Sequence, residues 1–259
     1  MKKTAKRIYM GLVFLFLYAP IILLIVYSFN SSKSRGQWGG FTLKWYAELL
    51  QDRQIKEALY FTILIAVLAT IISTIFGTLA AIGIHNMKRF PRSLSLNINN
   101  LPVLNPDIVT GVALMTLFIT ANLQLGFASM LIAHIVFCTP YVILAVLPKL
   151  RQLNRHLAEA AMDLGAKPSY ALRKVIIPQI TPGIVSGALI AFTLSIDDFV
   201  ISFFTAGTQV TNLSILIYSM AKRGVKPSIN ALSTIMFLTV LVLLLLINKK
   251  SDKGEELLL

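Results

Sequence analysis

Six long apolar runs are the feature that most constrains the fold of this chain. They cover residues near 8–29, 57–84, 101–120, 126–147, 183–206 and 230–248. Each run approaches or exceeds the ~20 residues that an α-helix needs to cross ~30 Å of hydrocarbon. Because backbone polar groups cannot remain unpaired in lipid, we predict an all-α polytopic membrane protein with six transmembrane helices.

The first apolar run is compatible either with a signal peptide or with a retained helix. Four basic residues lie within the first seven positions, as in a signal peptide. The run is nevertheless longer than the usual 7–15-residue apolar core, and no small-residue cleavage site closes it. We therefore expect a retained helix, and we treat residues 1–259 as a single transmembrane domain.

The positive charge lies outside the apolar runs. The net charge is +13, and all 24 Lys and Arg residues fall in termini and loops. This is typical of topology signals and argues against a nucleic-acid-binding face. If both termini are cytoplasmic, the inner segments hold 16 of these residues and the outer loops hold 8. The bias favours a membrane orientation with both termini in the cytoplasm.

Two patterns that would support chemistry within the chain are missing from the sequence. Cys138 is the one cysteine, so an intramolecular disulfide is impossible and a cysteine metal cluster is unsupported. No G-x4-G-K-[ST] phosphate-binding pattern occurs, so ATP hydrolysis by this chain is not expected. We predict that the chain is not an enzyme and binds no metal or cofactor of its own.

A polar loop at about 151–178 separates the fourth and fifth runs. Apolar spacing predicts a short amphipathic helix over 153–164, which Gly165 ends. We predict a second short helix from Tyr170 to Ile177, ended by Pro178. The loop could lie on lipid headgroups or bind a cytoplasmic partner, and the residues alone do not separate these readings.

The same loop resembles the E-A-A-x3-G-x9-I-x-L-P motif of ABC-importer permeases. The matching residues are Glu159, Ala160, Ala161, Gly165 and Pro178, with Asp163 inside the motif and Val175 and Ile177 as mild departures. In that family the loop is a coupling helix that docks in a cleft of an ATPase subunit. The resemblance therefore implies the type I ABC-importer permease fold and ATPase coupling through this loop.

The resemblance extends over nearly the whole chain. The strings 27–32, 40–46, 106–109 and 192–200 are similar to the PotC-type permease family of spermidine/putrescine importers. The resemblance implies a polyamine cargo and three kinds of partner. These are an ATPase dimer carrying ATP and Mg²⁺, a second permease subunit in a heterodimer, and an extracytoplasmic polyamine-binding protein.

Three carboxylates lie inside predicted membrane helices. Asp197 and Asp198 lie deep in the fifth run, and Asp107 enters the third run just after a proline. An ionised Asp at a helix centre costs ~2.5–3.5 kcal/mol, so such residues usually face water, a partner or a substrate. We predict contact with a cationic substrate, to which Phe199 could add a cation–π contact. A structural alternative is that one Asp caps a broken helix or pairs with a partner subunit.

Other polar and aromatic residues have two readings each. Trp45 could anchor a helix at the membrane interface or line a substrate entrance. We expect His134 and Asn122 to be packing or interhelical hydrogen-bonding residues.

The predicted function is a permease subunit of an ATP-driven polyamine importer. One alternative is an ABC permease for another solute, such as sulfate, iron, phosphonate or thiamine. An anion carrier should place basic residues in the path, whereas this chain places acidic ones. A second alternative is an ion-coupled carrier that uses Asp197 and Asp198 as a relay and needs no ATP.

Overall fold

The computed structural model describes residues 3–32, 37–154, 156–223 and 227–256. These residues are mainly helical, with one isolated antiparallel bridge between Asn30 and Phe41. They form two compact units, residues 1–56 with 216–259 and residues 57–215. The all-α class predicted from the apolar runs is therefore confirmed for the described residues.

The helices follow one another along the chain with short connections. They are α1 (Lys3–Ser28), α2 (Lys44–Gln51), α3 (Arg53–Asn86), α4 (Arg89–Leu104), α5 (Asp107–Thr120), α6 (Phe127–Gln152), α7 (Leu157–Asp163), α8 (Pro168–Ala171), α9 (Ile177–Asp197), α10 (Val200–Thr205), α11 (Leu213–Arg223) and α12 (Pro227–Glu256). In the first unit α1 and α2 both pack against α12. In the second unit the most extensive contact joins α6 to α9.

Four described helices are long and apolar enough to cross a membrane. They are Ala5–Ser28 within α1, all of α3, all of α6, and the continuous helical segment Pro168–Asp197. α4 and α5 together count as a fifth span if the bent pair is one crossing. α12 contains the sixth predicted run. Length and composition therefore support four or five of the six predicted spans in the described part of the chain.

The third predicted run is broken at its start. α4 and α5 meet at an angle of 105°, and the break falls at Asn105 and Pro106. A residue that precedes proline is disfavoured in the helical region, and Asn105 is accordingly extended, with ψ 145°. The run therefore supplies a 14-residue helix that begins at Asp107 rather than a continuous span over 101–120.

The fifth predicted run differs at both ends. We predicted a helix over 183–206, separated from a short helix that Pro178 ends. Instead, Pro178 lies in the first turn of α9, where a missing backbone N–H is tolerated, and the helix continues through Pro182. A π-helical turn at Leu172–Ile176 joins α8 to α9. The prediction that Pro178 stops a helix is therefore wrong.

The far end of the fifth run is interrupted where a continuous helix was predicted. α9 ends at Asp197, and Asp198 is extended, with φ −64° and ψ 126°. A new helix, α10, then covers Val200–Thr205. The interruption places the two adjacent carboxylates at the end of a helix rather than within one.

Small residues allow α6 and α9 to approach closely. A Cβ added at Gly187 would lie 3.2 Å from Cα of Val142, and one added at Gly183 would lie 3.1 Å from the carbonyl oxygen of Ala145. Small residues at such contacts let backbones pack tightly in membrane proteins. The α6–α9 contact is therefore a rigid frame for the α9–α10 break.

Candidate substrate-path and coupling sites

The loop between α6 and α8 forms the short helix α7, and the side chains of His156 and Glu159 are in contact at its first turn. α7 begins after His156, whose Nδ1 lies 2.7 Å from Oε2 of Glu159. Both side chains are exposed, so the pair adds little stability. A carboxylate in the first turn also interacts favourably with the helix dipole. The contact fixes the direction of Glu159 on the surface of the loop.

The C-terminus of α7 is closed by a glycine in the left-handed region. Gly165 has φ +86° and donates its N–H to the carbonyl of Met162 at 2.8 Å. The N–H of Ala166 bonds to the carbonyl of Ala161 at 3.1 Å, which completes a Schellman motif. The predicted role of Gly165 as a helix stop is therefore confirmed.

The outer face of α7 differs from the predicted apolar face. Leu157 and Ala161 are half-buried, whereas Ala160 is exposed and Leu164 is 91% exposed. Leu153 precedes the helix and packs against the core. The exposed face consists of Glu159, Ala160, Asp163 and Leu164, which we call the α7 outer face. Pro178 is also exposed, and Arg155 lies outside the described residues.

The Asp198 carboxylate has hydrogen-bond donors within this chain. Its carboxylate accepts hydrogen bonds from the backbone N–H of Ser202 at 2.7 Å and of Ile201 at 3.2 Å. From the position before the N-cap residue Phe199, Asp198 thus caps two of the free N–H groups in the first turn of α10. His134 on α6 lies 3.6 Å from the same carboxylate, and only 6% of the Asp198 side chain is exposed. Asp198 therefore stabilises the break, as in the structural alternative.

Asn212 ties the segment after α10 to this cluster. Its side-chain N–H groups donate to the Asp198 carbonyl at 3.2 Å and to the Ser202 hydroxyl at 2.8 Å. Asn212 is 1% exposed, so both bonds are shielded from water. Buried polar groups need such partners to avoid a desolvation penalty.

Asp197 has the opposite environment. It is exposed in this chain, although it is adjacent to the buried Asp198 carboxylate. Asp107 is also exposed, at the first position of α5. It lies one helical turn before Gly111, where an added Cβ would lie 2.9 Å from the Phe204 ring on α10. α5 thus packs against α10, and Asp107 lies one helical turn before this contact.

Three aromatic side chains follow Asp198 closely along the chain. Phe199, just before α10, is half-buried, and its ring centroid lies 5.4 Å from that of Phe203. Phe203 in turn contacts the Phe204 ring at 5.6 Å with an edge-to-face geometry. The cation–π contact predicted for Phe199 stays a prediction.

Trp45 packs inside the first unit. It is 5% exposed, and its indole N–H donates to the Asn30 carbonyl at 2.7 Å. The Asn30 side chain accepts the N–H groups of Ser32 and Gly39, so Trp45 packs against a hydrogen-bonded cluster around Asn30. The two roles predicted for Trp45, at the membrane interface or at a substrate entrance, stay predictions.

Sequence reasoning missed most of the polar cluster around Asp198. It expected His134 to form interhelical hydrogen bonds, and the structure confirms this. It did not find Ser202 or Asn212, whose only signal is that they are polar positions close to an apolar run. Asn122 was expected to pack between helices, but it is exposed with φ +56° in the turn after α5, so that prediction is wrong.

Comparison with known proteins identifies the family of this chain. The family model of the binding-protein-dependent transport system inner membrane component matches residues 73–250. The spermidine/putrescine transport system permease protein PotC of Escherichia coli K12 is 38% identical, with 95% of each chain covered. The putrescine transport system permease protein PotI of the same strain is 40% identical over 86% of this chain and 82% of that protein.

Two solved structures have the same fold at low identity. A chain of a bacterial ABC transporter that imports the acidic polysaccharide alginate has a TM-score of 0.77 and 15% identity, with 95% of each chain covered. A chain of the MetNI methionine ABC transporter has a TM-score of 0.63 and 16% identity, over 81% of this chain and 97% of that one. The fold is therefore that of ABC-importer permeases, and the chain belongs to the family of binding-protein-dependent transport system inner membrane components.

Proposed function

We propose that this chain is one transmembrane permease subunit of an ATP-driven ABC importer for polyamines. The proposal is supported by its similarity to PotC and PotI, whose names specify spermidine and putrescine transport. The observation that carries it in the structure is the exposed Asp197 carboxylate beside an Asp198 that is satisfied internally.

Asp197 and Asp107 are the proposed contacts for the cargo. Both are exposed carboxylates that start or end a helix beside α10, and the apolar runs contain no Lys or Arg to neutralise them. A polyamine carries ammonium groups along an apolar stem, so carboxylates can bind its charges while Phe199 contacts the stem or an ammonium group. Asp198 positions the break and does not contact the cargo.

The α7 outer face is the proposed docking site for the ATPase subunit. It presents the small, exposed Ala160 beside an exposed leucine, so a cleft can approach the backbone closely at Ala160. α8, the π-helical turn and α9 follow without a break in helical structure. Movement of the docked loop would therefore be transmitted along α9 towards Asp197.

The remaining partners and the topology follow from the family. The importer would contain an ATPase dimer, a second permease subunit and an extracytoplasmic polyamine-binding protein. We propose six spans with both termini in the cytoplasm, because that orientation places 16 of 24 Lys and Arg residues on the inner side. ATP binding and hydrolysis on the ATPase subunits would drive alternating access.

Uptake in polyamine-transport-deficient bacteria tests the proposal. The chain is co-expressed with its partner subunits, and uptake of labelled spermidine, putrescine and sulfate is compared. We expect polyamine uptake by the wild type, loss of it in Asp197→Asn, and little change in the exposed-carboxylate control Glu48→Gln. Sulfate uptake without polyamine uptake in an assembled complex would contradict the cargo and favour another ABC permease.

A further inference from the structure

A buried histidine joins the two sides of the α9–α10 break. His134 is 1% exposed and projects from α6. Its Nδ1 lies 2.7 Å from the hydroxyl of Ser195 in the last turn of α9, and its Nε2 lies 2.9 Å from the hydroxyl of Ser202 on α10. Both ring nitrogens therefore have partners, one in each helix, and the ring spans an interruption of two residues.

The two adjacent carboxylates at the break have different surroundings. Asp198 accepts the backbone N–H groups of Ile201 and Ser202, so its side chain lies in the buried cluster, whereas Asp197 is exposed. The extended conformation of Asp198, with ψ 126°, sets the direction in which the chain leaves α9. Loss of this conformation would move α10 relative to the last turn of α9 and so change the surroundings of Asp197.

We propose that His134 is a positioning residue for the cargo carboxylate Asp197, which it orients by pinning α9 and α10 on either side of the break. The inference rests on the proposed function in so far as Asp197 binds the cargo. His134 holds Ser195 and Ser202 in one arrangement, and this keeps Asp198 in its capping position. It does not contact the cargo itself.

The chain offers a matched control for a purely structural role. Cys138 lies one turn after His134 on the same helix, is fully buried, and faces α9 with its Sγ 3.5 Å from the Ala191 carbonyl. Replacing Cys138 with alanine removes a buried side chain from the α6–α9 contact but leaves the α9–α10 break unchanged. It also removes the one native thiol, so a cysteine placed at 197 becomes a unique label site.

The experiment measures labelling of that thiol in the assembled complex. Asp197→Cys is combined with Cys138→Ala, and the rate of modification by a cationic methanethiosulfonate reagent is followed with and without His134→Ala. We expect His134→Ala to change the modification rate by at least about fivefold. This is the change in an equilibrium constant that the loss of one buried hydrogen bond usually produces. His134→Gln, whose amide can both donate and accept, should restore the rate to within about twofold.

Further variants keep the inference falsifiable if His134→Ala does not fold. Ser195→Ala and Ser202→Ala each remove one anchor of the ring and should change the rate in the same way. Unchanged labelling in a folded His134→Ala variant, or in both serine variants, would overturn the inference.

Transport separates this inference from the proposed function. With Asp197 intact, we expect His134→Ala to raise the KM for spermidine about fivefold with little change in maximal rate, and Cys138→Ala to leave both within about twofold. A similar change in Cys138→Ala would instead identify a general packing effect and overturn the positioning role. If His134→Ala alters labelling at position 197 but the wild-type complex transports no polyamine, the positioning role is supported and only the proposed cargo is contradicted.

Discussion

Gly187 on α9 lies directly against Val142 on α6, so that an added Cβ would lie 3.2 Å from the Val142 Cα. The neighbouring atom belongs to the backbone of a membrane helix, which cannot move aside as a flexible side chain can. The contact between these two helices therefore depends on the absence of a side chain at this position.

We predict that Gly187→Val destabilises the complex by about 1–3 kcal/mol, the usual cost of overpacking a tight contact. The measurement is thermal unfolding of the purified complex. Gly83→Val is the control, because nothing lies within 4 Å of a Cβ at Gly83. Equal melting temperatures for the two variants would show that α6 and α9 do not approach as closely as described.

Substitutions of Asp198 and Asp197 should have different effects, the first on stability and the second on transport. Asp198→Ala removes the cap of α10, and we expect it to lower stability by about 0.5–2 kcal/mol. Asp197→Ala removes an exposed carboxylate, so stability should change by less than about 0.5 kcal/mol while uptake falls. Melting curves and uptake on the same preparations test this, and a reversed pattern would assign the cargo contact to Asp198.

Glu159 should affect coupling rather than folding. Its pair with His156 is exposed, so Glu159→Ala is expected to change stability by less than about 1 kcal/mol. We expect uptake to be lost in an assembled complex, together with stimulation of ATP hydrolysis by the loaded binding protein. Glu48→Ala, which removes an exposed carboxylate paired with Lys44, serves as the control. Normal uptake in Glu159→Ala would exclude this residue from coupling.

Gly165 offers a test of the loop geometry alone. A Cβ there would meet nothing within 4 Å, but φ is +86°, so the cost of Gly165→Ala is conformational, about 1–2 kcal/mol. We expect weaker coupling of ATP hydrolysis to uptake, with a smaller loss in Gly165→Asn, because Asn tolerates this region better. The readout is uptake per ATP hydrolysed. If the two variants behave alike, the left-handed conformation does not matter for coupling.

Local features of the fold could be predicted from sequence. The apolar runs located α1, α3 and α6, and glycine chemistry located the end of α7, because these depend on residues close together in the chain. The Asn105–Pro106 irregularity was also predictable, since proline restricts the residue before it.

Features set by distant residues could not be predicted. The break at Asp198 depends on His134, 64 positions earlier, and on Asn212, 14 positions later. Hydropathy gives no signal for such contacts, so the fifth run was predicted as one helix. The hydrogen bond from the Trp45 indole to the Asn30 backbone carbonyl likewise has no signal in the sequence. Which carboxylate is buried became apparent only from the structure.

The most direct measurement is ATP-dependent accumulation of labelled spermidine in proteoliposomes that contain the complete complex and its binding protein. With ATP on the side of the ATPase subunits, we predict accumulation that disappears without ATP hydrolysis. A correctly assembled complex that hydrolyses ATP but moves neither spermidine nor putrescine would contradict the polyamine assignment. Uptake driven by an ion gradient without ATP would contradict the ABC mechanism itself.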